Sequence, residues 1–558
     1  MKRWLCCLAA SLAALALDSS PAQACGGLFC STMPVDQSGE KILFAVDDHG
    51  IEVHVQISYQ GDDADFAWVV PTRQPPTLAV GSQQVFTTLA QDTMPIFSVR
   101  WHFSGSCRAG GGGGGAGGAG GSGGAVDGSA GGGGGVVVVS QDQVGPYDSA
   151  VVRSDDPQAL RGWLQQNGYN LTPAGSALID PYVREQSYFV ALKLHAGHNV
   201  GEIQPIVLRF AGSEPCVPLR LTAVAALNDM DVTAFVLGQH RAVPSNYYEV
   251  KVDLARIDWI GFGQNYQQVV SAAANEATGN AFVTEYAGTS NILKGQLYQP
   301  GRYNLDLLRS TSDPALYVSS MIRQGFQSSA TLLSILRRWI PEPAALAAQG
   351  IPDTVFYNCL ECYAQYLRGF VFDPVGMTAD LDARIVQPLA EAQALFDRLP
   401  YLTRLHTLIS PPEMTTDPTF TFNADLGSVS NQHLANGYVS GCYGDGPVTL
   451  VLPDGRIILI DPREPRGSGG SGLDLDALPA AQDWFQMGPS GPGLEVGSNG
   501  LRIDQLIGEH NQRVRDRYAP PFWQSGGCGA APGALGGSLA GLGLLAAIAL
   551  ALRRRRRC

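Results

Sequence analysis

The sequence predicts an α+β fold: a largely antiparallel β-rich N-terminal domain (25–257), a mainly helical region (258–400), and a mixed C-terminal region (401–519) containing a short β-hairpin. Three observations predict it. Val53, Val55 and Ile57 alternate with His54, Gln56 and Ser58, the period of a strand with one buried face. From Asp258 to Pro400 the pattern changes to helical spacing rich in Ala and Leu. Beyond it, Pro453-Asp454-Gly455 separates the apolar runs Val448–Leu452 and Arg456–Ile460, as a hairpin turn does.

Taken in order, Lys41–Val46, the turn Asp47-Asp48-His49-Gly50 and Ile51–Tyr59 read as a β-hairpin. Phe66–Val70 continues the sheet until Pro71, Pro75 and Pro76 interrupt it. Ser82–Gln91 reads as a short helix and Ile96–Phe103 as a strand. The stretch 109–135 is nearly pure glycine, cannot bury enough apolar area to offset its ordering entropy, and reads as a disordered loop. Strand-like runs on both sides, Val99–Phe103 and Val136–Val139, suggest an expanded hairpin loop. Ser154-Asp155-Asp156-Pro157 is a helix start, closed at Asn167-Gly168. Ser149–Arg153, Tyr188–Leu194, Ile203–Phe210, Leu219–Ala226, Asp231–Gly238 and Tyr247–Leu254 are strand candidates. Helical spacing then marks Tyr266–Ala277, Pro314–Gly325, Ser329–Trp339, Pro343–Gln349, Val355–Leu367 and Ala379–Leu395. Thr403–Leu408 and Phe420–Phe422 return to strand, 465–473 is a flexible link, and Leu501–Tyr518 is a last helix.

Both ends of the chain read as address labels. Residues 1–24 form an export signal: Lys2 and Arg3, an apolar run Leu5–Leu17, and the cleavage site Ala22-Gln23-Ala24, which leaves Cys25 first. Acylation of Cys25 is the second reading of that cut. Ala22 stands where a lipobox has a larger aliphatic residue, which favours ordinary cleavage. At the other end, 520–534 is a stalk carrying Gly526-Gly527-Cys528, 535–552 is an apolar transmembrane segment, and 553–558 is a basic cytoplasmic tail with five arginines. The apolar segment has 18 residues. As a helix it reaches about 27 Å, just short of the roughly 30 Å of bilayer hydrocarbon. Gly536, Gly537, Gly541 and Gly543 weaken it as a permanent anchor.

This tail resembles the MYXO-CTERM type of C-terminal sorting domain found in predicted surface proteins of myxobacteria, by its Gly-Cys motif, short helix and terminal arginine cluster. The resemblance implies that a membrane protease of the myxosortase type removes the helix and arginines, and that Cys528 carries the attachment, a lipid. Cys558 after the arginines departs from the pattern.

The interior also resembles a known group. Ala24-Cys25-Gly-Gly-Leu-Phe-Cys30, Phe66-Ala-Trp-Val-Val-Pro71, Val144-Gly-Pro-Tyr-Asp148, Ile203-Gln-Pro205 with Pro218-Leu-Arg-Leu-Thr-Ala223, and Leu402-Thr-Arg-Leu405 with Ser410-Pro-Pro-Glu-Met-Thr415 look like domain-of-unknown-function family 2330. The span is Cys25–Cys442. The resemblance implies an exported bacterial cell-envelope protein and brings no activity, cofactor or catalytic residue.

Composition narrows the partners. The chain carries 37 basic and 50 acidic residues, a formal charge of −13, and removal of Lys2, Arg3, Asp18 and the tail arginines makes the mature chain more acidic still. Nucleic acid is excluded as a partner, because phosphate binding needs a basic face. The expected partners are a membrane, a sorting protease and an unidentified surface ligand. Cys25, Cys30, Cys107, Cys216, Cys359, Cys362 and Cys442 are the candidate disulfide cysteines, an odd number that becomes even if Cys25 is acylated.

Cys359-Leu-Glu-Cys362 is the sharpest chemical candidate, since a C-x-x-C at a helix start is able to exchange disulfides. It lies in a helical region, away from a strand, which favours a structural bridge. His195 and His198 offer two imidazoles to a metal, and Asp62, Asp63 and Asp65 offer carboxylates to calcium, but neither set has the spacing of a known site. Gly120-Gly-Ser122-Gly-Gly124 fits G-x-S-x-G without the strand–turn–helix context that gives the motif meaning. The expected function is therefore a surface-anchored structural or interaction module without catalytic residue, metal or cofactor. The alternative is an extracytoplasmic enzyme, working by thiol–disulfide exchange through Cys359 and Cys362 or as a hydrolase.

Overall fold

The computed structural model describes residues 36–60, 66–104, 135–169, 173–195, 203–293, 295–440, 446–463 and 472–518. The export signal with Ala22, Ala24 and Cys25, the Gly-rich stretch, and the tail with Cys528 and 535–552 lie outside them. So do Cys30, Cys107, Cys442, His198, Asp62, Asp63 and Asp65.

Twenty strands are described. The first four are β1 (Asp36–Asp47), β2 (Gly50–Gln60), β3 (Ala67–Thr72) and β4 (Thr77–Val80). Then come β5 (Ile96–Ser104), β6 (Val137–Val144), β7 (Tyr147–Arg153), β8 (Tyr188–Leu194), β9 (Ile206–Phe210) and β10 (Ala226–Gly238). The next are β11 (Arg241–Pro244), β12 (Tyr248–Val252), β13 (Ala281–Thr289), β14 (Tyr401–Ile409) and β15 (Phe420–Asn423). Last are β16 (Gln432–Ser440), β17 (Val448–Val451), β18 (Ile457–Ile460), β19 (Ala481–Gln486) and β20 (Leu494–Ser498).

Ten of them form one sheet in the order β20-β19-β12-β13-β14-β10-β1-β2-β9-β4. It is antiparallel except where β1 runs beside β10 and β12 beside β13. A second sheet, β3-β8-β7-β6, is antiparallel throughout. The fold is α+β.

The alternation in β2 sorts side chains into two layers. Val53 and Val55, with Ile42 and Phe44 of β1 and Leu208 of β9, face Trp68, Val70, Val190 and Leu192 of the second sheet in one apolar core. On the opposite face Leu43, Ala45, Phe235 and Leu237 meet Phe86 and Leu89 of the helix Gln83–Thr93 and Leu395 and Phe396 of the helix Gln387–Arg398. The outer face of the second sheet, through Val69, Val152 and Phe189, is covered by the helices Pro157–Gln166 and Pro173–Arg184. Helix, sheet, sheet and helix therefore stack in four layers.

Two further cores complete the body. One joins β12, β13 and the helix Tyr266–Glu276 to the sheet β18-β17-β16-β5 and the C-terminal helix Gly500–Tyr518. The other is wholly helical, around Tyr317, Ile335, Phe356 and Met377.

Helix starts are capped by side chains, and of these the sequence reading named only the Ser154–Asp156 stretch. Ser82, Asp156, Asp313 and Ser329 each accept a hydrogen bond from a first-turn backbone N–H, and Pro157 occupies the first turn of its helix. Ser329→Ala removes the acceptor held 3.1 Å from the Leu332 N–H, and is expected to cost about 1 kcal/mol in urea unfolding.

Several expectations are corrected. Val99–Phe103 and Val136–Val139 do not form a hairpin: β5 pairs with β16 and β6 with β7, in different sheets. Phe66–Val70 does not extend the first sheet but starts the second, and Pro71 does not interrupt it: β3 runs through Pro71 to Thr72 in register with β8. Leu219–Thr222 is a helical turn, and strand resumes only at Ala226. The mainly helical region contains β13, whose Ala281, Phe282 and Val283 are buried between β12 and β14. Val355–Leu367 breaks at Cys359 into two short helices.

Candidate functional site

Between the two sheets the apolar filling stops short of one end and leaves a cavity of about 400 Å³, within the range of small-molecule sites. Its floor is Ile42, Val53 and Val55 of the large sheet, with Leu208 and Phe210 of β9, and its facing wall is Trp68 and Val70 of β3. A void of about 10 Å³, lined by Tyr147, Ile203, Gln204 and the shared Val55 and Trp68, continues the same space inward.

The mouth is polar, and several separate stretches build it. β3 ends at Thr72 and delivers Arg73, whose Nη1 is 3.2 Å from Glu214 Oε2. The helix Pro173–Arg184 brings Tyr182 and, just past its end, Glu185. The turn Leu219–Thr222 carries Arg220, and the segment after the 3-10 turn Pro411–Glu413 carries Thr415, Thr416 and Asp417.

Arg220 ties these pieces together. Its Nη1 and Nη2 each donate at 3.0 Å to Glu185, while its Nε and its backbone N–H donate to the two oxygens of Asp417 at 3.0 and 2.8 Å. Tyr182 donates to the same Asp417 at 3.0 Å and lies beneath the guanidinium, 4.3 Å from ring centre to Arg220 Cζ. Burial pushes the Asp417 carboxyl above its ordinary range despite these donors.

Cys216 lines the same mouth, held beside Thr419 by an isolated β-bridge. It has no disulfide partner among the described residues. Burial, reinforced by Asp417, pushes its thiol up to about 12, so it stays protonated and weakly nucleophilic at neutral pH. Thr72 also lines the cavity, 8% exposed, and its hydroxyl is unpartnered among the described residues.

A separate buried constellation lies on the opposite face of the large sheet. Glu285 occupies a β-bulge, where pairing with β14 shifts between Thr284 and Tyr286, and the extra residue re-aims its side chain. It meets Arg404 Nε at 2.5 Å and His406 Nδ1 at 2.9 Å, and His406 Nε2 lies 3.5 Å from Asp231. Burial alone would lower the His406 pKa, but Glu285 and Asp231 outweigh it and hold the imidazolium up to about 10. Both cations are matched by carboxylates, and none of the four residues lines the cavity. This is a paired structural network in the middle of the sheet.

The sequence candidates other than Cys216 fall elsewhere. Cys359 and Cys362 are joined as a disulfide at the break between the helices Asp353–Asn358 and Leu360–Leu367, in the helical unit. His195 Nδ1 pairs with Asp148 at 2.8 Å on the surface. Among the described residues no group of three or more His, Cys, Asp or Glu is placed to hold a metal.

Tyr182, Glu185 and Asp417 carried no motif that sequence reading singled out. A signal was nevertheless present. Trp68, Val70 and Pro71, then Pro218 and Arg220, then Thr415 all belong to the stretches quoted above for the family resemblance, and all line the cavity. Tyr147, Ile203 and Gln204, from two more of those stretches, line the adjoining void.

Residues 19–295 match the model of a family described as an uncharacterized protein conserved in bacteria, DUF2330. The match stops short of Leu402–Leu405 and Ser410–Thr415, so the Thr415–Thr419 wall of the cavity lies beyond it. No curated protein and no solved structure matches the chain. Over residues 19–295, with both sheets of the cavity begun within them, the chain belongs to the DUF2330 family of bacterial proteins.

Proposed function

We propose that this is an exported bacterial envelope protein, held at the cell surface through its C-terminal sorting segment, whose body binds an amphipathic small molecule in the cleft between its sheets. The observation that carries the reading is the cleft itself: about 400 Å³, an apolar floor, and a mouth of charged and hydroxyl groups. Binding is favoured over catalysis by the state of the mouth. Its guanidiniums and carboxylates are engaged with one another, and the Cys216 thiol is held protonated.

Export is supported by the features at the chain's two ends and by the Cys359–Cys362 disulfide, a bond that persists in oxidising compartments. On this reading the partners are the membrane that receives 535–552, the protease that cuts near Cys528, and the cleft ligand. No nucleic acid is among them, given the acidic chain.

Trp68 on the cleft wall is the reporter. Titration with octan-1-ol, followed by tryptophan fluorescence, is expected to saturate. Val53→Phe, which places a ring in the cavity, is expected to weaken the response at least tenfold while circular dichroism stays unchanged. A response that never saturates, or one identical in Val53→Phe, contradicts the assignment.

A further inference from the structure

We infer that the Cys359–Cys362 disulfide is a reversible redox site that sets the local helix type: a dithiol reductant opens it, and the two short helices beside it then join as one α-helix. The bridge falls where the α-helix Asp353–Asn358 stops and the 3-10 helix Leu360–Leu367 begins, with Cys359 itself out of helical conformation at φ −146° and ψ 70°. Cys362 is exposed and Cys359 half-buried, within reach of a reagent from solvent. The bridged residues are three apart in sequence. A loop that short takes little freedom from the unfolded chain, so opening it costs the fold little.

The residues around the bridge favour a continuous helix. Val355–Leu367 contains no glycine or proline to stop one. Phe356, Leu360, Tyr363 and Leu367 recur at i, i+4, i+7 and i+11, the stripe of a single α-helical face, and all four already pack in the helical core. A 3-10 run of eight residues is also well beyond the three or four that its poorer hydrogen bonds usually sustain. The covalent link supplies the reason for the break. In an α-helix the Cβ atoms of residues i and i+3 stand about 5–6 Å apart, whereas a disulfide needs them within about 3.5–4.5 Å. The bond and a regular α-helix through Cys359 and Cys362 exclude one another.

A thiolate of the reductant attacks the Cys362 sulfur and displaces Cys359 as its thiolate. The reductant's second thiol then attacks the mixed disulfide and displaces Cys362. Two electrons and, once both thiolates are protonated, two protons have passed to the chain, and the reductant leaves as its own disulfide. As the rise per residue falls from ~2.0 to ~1.5 Å, the eight residues shorten from about 16 to about 12 Å. The segment 368–373, which contains Gly369 at φ 81°, takes up the difference.

The test uses the folded chain with dithiothreitol as the reductant. The tryptic peptide 339–368 holds both cysteines and no other, so alkylation followed by peptide mapping reads this bridge alone. Both cysteines are expected to become alkylated in native buffer at a rate within about tenfold of that in the urea-unfolded chain, and to be protected again after reoxidation with oxidised glutathione. Amide hydrogen exchange across Leu360–Leu367 is expected to slow several-fold on reduction. The double variant Cys359→Ser, Cys362→Ser, which cannot form the bridge, is expected to stay folded and to show the same slowing without reductant. A bridge that resists dithiothreitol until urea unfolds the chain overturns the redox site. Exchange over Leu360–Leu367 that is unchanged or faster, in the reduced parent or in the double variant, overturns the helix conversion.

Discussion

Glu285→Gln is expected to cost about 3–5 kcal/mol of folding stability, measured by urea unfolding, because it strands two buried cations on one sheet face. Arg404 and His406 are 7% and 3% exposed, and Glu285 is the carboxylate that touches both. Arg404 would keep weaker ties to the Ala90 carbonyl and the Thr93 hydroxyl, at 3.4 and 3.3 Å, and its position over Phe235. The pH dependence has a definite sign. His406 is raised from 6.5 to about 10 in the folded chain, so its contribution is complete below 6.5 and is lost as pH rises through 10. Glu285 is shifted the opposite way: burial raises its pKa, but His406 and Arg404 outweigh that and keep it below its ordinary range. Its contribution is present above 4.5 and lost only in stronger acid. In Glu285→Gln the alkaline loss is expected to begin at lower pH, since only Asp231, at 3.5 Å, is left to hold the imidazolium up. Unchanged stability and an unchanged alkaline limb would show that the network is not a matched set of charges.

Asp253→Asn is expected to do the reverse at neutral and alkaline pH. Asp253 is 0% exposed, and its Oδ1 accepts the Ala255 N–H at 2.9 Å, but Oδ2 has no hydrogen-bond partner among the described residues. Burial, only partly offset by that hydrogen bond and by Arg456, raises its pKa from 3.8 to about 7. A raised folded-state pKa means stability that is full below 3.8 and lost as pH climbs to 7. At about 1.4 kcal/mol for each pKa unit, the loss is on the order of 4 kcal/mol. Asparagine keeps the Oδ1 acceptor and carries no charge. The stability of Asp253→Asn relative to the parent chain should therefore grow by that amount between pH 4 and pH 8. A difference independent of pH would show that Asp253 ionises as freely in the folded chain as in the unfolded one.

Local features were legible in the sequence, and contacts between distant segments were not. The β1–β2 hairpin, the capped helices behind Ser82, Asp156 and Ser329, and the Pro453-Asp-Gly455 turn are written in a few adjacent residues, and each forms as read. The pairing of β1 with β10, which places Ile42 beside Ala234, has no local signature. Leu219–Thr222 carries a run of apolar and β-compatible residues that tertiary packing turns into one helical turn, with Leu219 and Leu221 buried on different sides. β13 was hidden for a related reason. It is buried on both faces and lies between helices, so its apolar run reads like theirs.

The cleft illustrates the same limit. Arg220 and Asp417, which close its mouth, are 197 residues apart. Nothing in the spacing of either one announces the other. What the sequence did carry was a set of short motifs with no apparent common purpose, and the fold gathers them around one inter-sheet space.

Photolabelling with an aliphatic diazirine alcohol tests the central claim most directly, because the carbene inserts wherever the apolar chain rests. Peptide mapping of the labelled chain should place the insertions on the segments containing Val53 and Val55, Trp68 and Val70, and Leu208 and Phe210, with loss of label on competition by octan-1-ol. Label that spares these segments and collects instead on the exposed valines Val137, Val138 and Val139 of β6 would contradict the account.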